Sequence, residues 1–268
     1  MVMPVWLYKL NPLLIAVTLL AIVETLSLLG LMFARRFVLP RLRYRDLPNE
    51  AVSGTVQAIG VFYGITIGLI AVGVWSTNSE AKDLVSKEAA AIATLYRDTA
   101  GYPEPVRQEL RTKLRAYTVF VIEEAWPAQQ AGRGQLLNGG LKILDEFQAT
   151  LHGFQPANSG QEALHGETLS AYNNLLEYRR LRLDAVNSRL SGVMWTVIWA
   201  GAVISVTVTY FYKIEDPRLH AILVSLMAAF LAMLLLMIVV NDRPFYGRVS
   251  ISSAPYKLIL NHVIDLSK

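Results

Sequence analysis

The chain reads as an all-α integral membrane protein, with four transmembrane helices and a helical extramembrane insert between the second and the third. Three observations predict this. The composition is 53% hydrophobic with a mean hydropathy of +0.37, too apolar for an ordinary soluble domain. Four apolar runs are each long enough to cross a hydrocarbon core of roughly 30 Å as a helix. The stretch between the second and third runs is polar, with its apolar residues at helical spacing. The parts are residues 1–76 (helices 1 and 2 with an arginine-rich loop), 77–190 (the insert), 191–240 (helices 3 and 4) and 241–268 (a polar segment with a short amphipathic helix).

The first run begins at Pro12 and ends on Arg35-Arg36. It is too long for the core of a cleavable signal and reads as a retained anchor. Glu24 lies near its middle, an intramembrane acid that must be hydrogen-bonded, hydrated, protonated or engaged in ion handling. Five arginines (Arg35, Arg36, Arg41, Arg43, Arg45) then crowd a short loop broken by Pro40 and Pro48. Such loops tend to stay cytoplasmic.

The second run, residues 51–75, carries Gly60, Gly64 and Gly68 at every fourth position, so one side of the helix is a seam without side chains. It also carries Ser53, Thr55, Gln57, Tyr63 and Thr66, more hydrogen-bonding groups than a lipid-surrounded helix tolerates. The seam reads two ways: as a helix-packing face, or as a pore wall with Ile59, Phe62 and Ile67 on adjoining faces supplying a dewetting constriction.

No proline or glycine follows Trp75 for many residues, so the second span is expected to run on as an amphipathic helix. A helix from Pro105 places Val106, Leu110, Leu114, Tyr117, Val121 and Ile122 on one side, and Trp126-Pro127 is expected to stop it. Further helices are expected over 141–152 and about 161–189, the second continuing directly into span three. That fourth insert helix carries Leu164, Leu169, Tyr172, Leu175, Leu176, Leu181 and Leu183. Span three (191–212) has Trp195, Trp199, Tyr210 and Tyr212 toward its ends, where amphipathic rings favour the interface. The turn Lys213-Ile-Glu-Asp-Pro-Arg218 leads into span four, and a last amphipathic helix covers 255–266.

The chain has no cysteine, which excludes thiol catalysis, thiolate metal sites and disulfides. None of the four histidines has an acidic companion at metal-ligand spacing, so no metal, cofactor or catalytic constellation is expected and the protein does not read as an enzyme. The net charge of +4 is dispersed, which gives nucleic acid no docking surface. Asn78, Asp242 and Arg243 lie just outside the spans, as helix caps or as the lining of a membrane mouth. Arg179, Arg180 and Arg182 form a cluster able to meet lipid headgroups or anions, or to make solvated ion pairs.

The segment Trp75-Ser76-Thr77-Asn78-Ser79-Glu80-Ala81 resembles the Phe-Arg-Thr-Asn-Ser segment of bestrophins, and Asp242-Arg243-Pro244-Phe245-Tyr246-Gly247 resembles their Asn-Pro-Phe-Gly. More closely, the chain is similar to a bacterial family of bestrophin-like membrane proteins defined by a domain of unknown function. Glu88-Ala89, Glu124-Ala125-Trp126-Pro127, Arg179-Arg180-Leu181-Arg182-Leu183 and the run from Pro244 to Val249 carry that likeness. Ser76 replaces a basic residue and Tyr246 interrupts Pro-Phe-Gly, with no acidic cluster after it, so calcium gating is not expected.

The resemblance implies a bestrophin-like fold in a bacterial inner membrane and a homo-oligomeric ion channel, usually a pentamer, with span two lining the pore. The lipid bilayer, further copies of the chain and permeant ions are then its partners, and arginines near both membrane faces favour anions. The alternative is a membrane-anchored scaffold or sensor whose insert binds a partner. The side of the membrane on which the insert lies stays open, because the arginine-rich loop and the resemblance point to opposite sides.

Overall fold

The computed structural model describes residues 11–41, 49–133 and 138–265. Arg43, Arg45, Pro48 and Leu266 of the sequence reading lie outside them. Among the described residues there are helices and turns and no strand. The chain divides into two compact units: residues 1–76 with 189–242, and residues 77–188 with 243–268.

The first unit holds four helices long and apolar enough to cross a membrane. Helix α1 (Pro12–Phe33) starts at Asn11, whose side chain accepts the Leu13 N–H at 3.1 Å, with Pro12 in the first turn where its missing N–H costs nothing. A widened π-helical turn, Ala34–Val38, ends it. Helix α2 (Asn49–Asp98) contributes its first half here and its second half to the other unit. Its 50 residues rise about 75 Å, more than twice a hydrocarbon core, so the expected continuation beyond the span is present.

Helices α7 (Gly192–Thr209) and α8 (Pro217–Asn241) complete the unit, capped by Ser191 on the Met194 N–H and by Asp216 on the Arg218 N–H. Helix α1 lies mainly against α8, and α7 packs on both. Tyr63 of α2 donates to the Ile198 carbonyl at 2.9 Å, and its ring presses on Gly201, where any Cβ would strike it. Tyr210 likewise donates to the Ser27 carbonyl at 2.9 Å and lies on Gly30. The two glycines let tyrosine rings reach a neighbouring backbone, which satisfies each hydroxyl without water. Large apolar side chains elsewhere point outward, among them Leu13, Phe62 and Val193, each more than 70% exposed. That is the inside-out pattern of a surface meant for lipid or for other helices.

The second unit is built around the far half of α2. Ala81, Val85, Ala89, Ile92 and Leu95 form its buried stripe. Against it lie α3 (Val106–Phe120) with Leu110, Leu114 and Tyr117, α5 (Asn138–His152) with Leu144, Phe147 and Leu151, and α6 (Ser159–Val186) with Tyr172 and Leu175. Burying one such side chain stabilises by roughly 1.5–3 kcal/mol, so this stripe is the main source of the unit's cohesion. The C-terminal α9 (Ala254–Ile259) adds Tyr256 and Ile259 to the same core.

Two expectations are corrected. Trp126-Pro127 does not stop the helix begun at α3: the chain widens through a π turn, Val121–Ala125, and continues as α4 (Trp126–Gln130). The wide turn accommodates the N–H that Pro127 lacks. Helix α6 ends at Val186 and is not continuous with α7, because Asn187 closes it and Ser191 starts the next helix.

Candidate functional site

Within the first unit, α2 presents two contrasting sides. Tyr63, Ile67, Ala71 and Val74 are buried against the unit. Gly60, Gly64 and Gly68 meet nothing within 4 Å of where a Cβ would stand, so none of the described residues uses the seam for packing. Beyond them Phe62, Ile65, Leu69 and Val72 project outward, each at least 60% exposed.

The polar groups of this helix are mostly satisfied by the helix itself. Thr66 donates to the Phe62 carbonyl at 2.8 Å, Thr55 to the Ala51 carbonyl at 3.0 Å, and Gln57 to the Ser53 hydroxyl at 3.3 Å. Such back-bonding makes a polar residue tolerable at membrane depth while leaving the hydroxyl lone pairs of Thr66 available outward. Ile67 is only 1% exposed, so it is part of the packed side and not of the open one. Helical period alone puts it beside the glycines, and the packing of Tyr63 on α7 decides that its side is covered. Glu24 of α1 is half-buried and makes no hydrogen bond or ion pair among the described residues.

The residues expected at a membrane mouth fall in different surroundings. Asp242 accepts the Leu190 N–H at 2.6 Å and so ties the end of α8 to the approach to α7. Asn78 is buried within α2, away from either end of that helix, so it caps nothing. Arg243 lies over the Tyr246 ring at 5.7 Å. Arg179 is half-buried and Arg180 exposed.

Arg182 departs most from expectation. It is 2% exposed and cannot reach a lipid headgroup or a solvent anion. Its Nε donates to Glu88 Oε2 at 2.5 Å and its Nη2 to Glu88 Oε1 at 3.2 Å, with Glu88 itself fully buried. Tyr117 adds a third bond, its hydroxyl donating to Glu88 Oε1 at 2.6 Å. The guanidinium faces the Trp126 ring at 5.8 Å, and Trp126 packs on Phe245 and Tyr256 with ring centroids 5.7 and 5.5 Å apart.

The electrostatics follow from burial. Burial opposes the charged guanidinium, but the Glu88 carboxylate outweighs it and holds the Arg182 pKa well above its ordinary value. Burial, then the adjacent Glu88 charge, pushes the Tyr117 and Tyr256 hydroxyls well up, so both stay protonated. This buried pair, with Tyr117, joins α2, α3 and α6 by groups that tolerate no water and no misalignment.

The node also gathers the motif residues. The Trp126 indole donates to the Ile251 carbonyl at 3.0 Å, and the Gly247 N–H donates to the Gln130 carbonyl at 3.1 Å, which docks the Pro-Phe-x-Gly tail on α4. Gly132 allows the close approach of Tyr246 and has φ +75°, a conformation that only glycine adopts readily. A signal for the pair was present in the sequence. Glu88 sits in helical register with Val85 and Ile92, and Arg182 with Tyr172 and Leu175, so each is a charge set in an apolar stripe.

The sequence matches the Bestrophin-like domain over residues 21–256. Two crystal structures of variant forms of a bacterial bestrophin homolog from Klebsiella pneumoniae share the fold. One has a TM-score of 0.69 at 13% identity, the other 0.67 at 12%, each match covering 94% of this chain and 98% of the other. A further crystal structure, described as that of a membrane protein, matches with a TM-score of 0.68 at 12% identity over the same shares. No protein of curated function matches the sequence. With its domain match spanning most of the chain and its four candidate membrane spans, this multi-pass membrane protein belongs to the bestrophin-like family.

Proposed function

We propose that the chain is the subunit of a closed homo-oligomeric ion channel in a bacterial cell membrane, with five copies favoured and the first half of α2 lining the pore. The observation that carries this reading is the uncovered glycine side of α2, where Gly60, Gly64 and Gly68 meet nothing among the described residues. Several copies placed around an axis would bring these sides together, and side-chain-free backbone permits a narrow aqueous path. Val61 and Ile65, exposed beside Gly64 and Gly68, supply the apolar constriction that Ile67 cannot, whereas Thr66 and Phe62, each two residues from Gly64, lie on the other side of the helix. Anions are the favoured ions, on the arginines near the ends of the spans, with Arg180, Asp242 and Arg243 as candidate mouth residues. No catalytic role is proposed.

The test is the subunit count of detergent-purified protein by native mass spectrometry, followed by ion flux in liposomes. A ring of five whose flux changes in Gly64→Leu supports the reading. A monomer or dimer that persists in mild detergent would sink it and leave a membrane-anchored scaffold or sensor acting through the helical second unit.

A further inference from the structure

Two concavities in the first unit are absorbed neither by the proposed pore nor by the buried ion pair. The first is a groove of about 310 Å³ bordered by Val23, Leu26 and Gly30 of α1, by Ala202 and Val203 of α7, and by Leu231 of α8. Its lining is mostly apolar, with Ser27, Thr207 and Tyr210 as the polar members. The second, about 590 Å³, lies farther along α1 and is lined by Met32, Phe33, Arg35, Arg36 and Phe37. Val23, Leu26, Gly30, Phe33 and Phe37 follow one another at steps of three and four, so the two phenylalanines of the second concavity continue the line of the first along α1. Arg35 stands about 18 Å along the helix from Val23, close to the hydrocarbon depth of one leaflet, roughly 15 Å.

The chemistry changes along this line in the way a lipid does. Leu26 and Val203 are exposed at membrane depth, and Phe33 and Phe37 form an exposed aromatic pair 5.3 Å apart where the span ends. Arg35 and Arg36, in the π-helical turn Ala34–Val38, line the same concavity as these rings. Arg35 spends Nη2 on the Ile214 carbonyl at 3.3 Å, while its Nη1 is shielded from solvent with no hydrogen-bond partner among the described residues. Arg36 is exposed. Glu215 and Asp216 follow Ile214 in the α7–α8 turn, yet neither arginine forms an ion pair among the described residues. A buried donor without an acceptor, next to a second free cation and an apolar groove, lacks one thing: an anion attached to a hydrocarbon chain.

We infer that this side of α1 is a binding site for an anionic phospholipid, its phosphate held by Arg35 and Arg36 and an acyl chain lying in the groove between α1, α7 and α8. The site is independent of ion conduction.

Native mass spectrometry of the full chain, purified and then exposed to phosphatidylglycerol or phosphatidylcholine, tests it. The expected result is retention of phosphatidylglycerol under activation that strips phosphatidylcholine. R35Q/R36Q should lower retention by about tenfold or more, as two lost charges imply, and R35K/R36K should keep most of it. Val203→Trp, which fills the groove from its exposed rim, should lower retention of both lipids. Unchanged circular dichroism and elution volume establish that each variant is folded. Equal retention of the two lipids, or R35Q/R36Q binding like the parent, overturns the inference. So does displacement of the lipid by millimolar inorganic phosphate, which would make this a soluble-anion site. A Val203→Trp variant that changes subunit number while keeping its lipid would assign the groove to a second copy of the chain and also overturn it.

Discussion

Arg182 and Glu88, 94 residues apart in the chain, meet as a two-point ion pair with 2% and 0% of their side chains exposed. Removing one partner leaves the other charged and buried, which costs about 3–5 kcal/mol, whereas replacing both with apolar groups of similar volume is far milder. Arg182→Met and Glu88→Leu should each lower the thermal midpoint of the detergent-solubilised protein sharply, and the double variant by less than either. Additive losses in that cycle would show that the two residues do not act as a pair.

Tyr117 supplies the third bond to Glu88, so Tyr117→Phe should cost about 1.5–3 kcal/mol, the range for a hydrogen bond to a charged group. Denaturant titration in one detergent reads this directly. A loss within error of zero would mean that Glu88 finds another donor.

The same environment sets a pH dependence. Tyr117 and Tyr256 have pKa values pushed well above the ordinary value, and burial pushes Tyr172 to about 12. In the unfolded chain all three titrate near 10. Above that pH the folded state holds more protons than the unfolded one, so stability falls as pH rises, while below about 10 the contribution is fully present. Thermal midpoints should therefore decline on the alkaline side, and less steeply in Y117F/Y256F. A slope unchanged by those substitutions would place the effect elsewhere.

The glycines of the first unit should divide by position. At Gly201 a Cβ strikes the Tyr63 ring and at Gly30 the Tyr210 hydroxyl, so alanine there should destabilise by about 1–3 kcal/mol, as overpacking does. At Gly60, Gly64 and Gly68 a Cβ meets nothing, so alanine should leave the thermal midpoint of the monomeric chain unchanged or raise it slightly. Any change in flux from those three then reports on the conduction path and not on folding.

Asp242 should prove to be a structural acceptor. Asp242→Ala removes the partner of the Leu190 N–H and should cost about 0.5–2 kcal/mol, as the loss of a cap does, with Asp242→Asn recovering most of it. Hydrogen exchange at Leu190 is the direct readout, and protection unchanged in the alanine variant would contradict the assignment.

The sequence by itself determined the four spans, the helical insert and the single long helix that leaves span two, because hydropathy and helical period are local properties that need no partner. It also marked the glycine seam, the motif residues and the family. Only the tertiary structure decided which side of α2 is covered: the side of Tyr63, Ile67, Ala71 and Val74 is buried, with Tyr63 bonded to α7, while a Cβ at Gly64 or Gly68 would meet nothing among the described residues. Likewise Arg179, Arg180 and Arg182 are alike as a basic cluster, and packing alone turns Arg182 inward. The physical reason is that a buried charge is stable only opposite its counter-charge, and for Arg182 that counter-charge is supplied by another helix, 94 residues away.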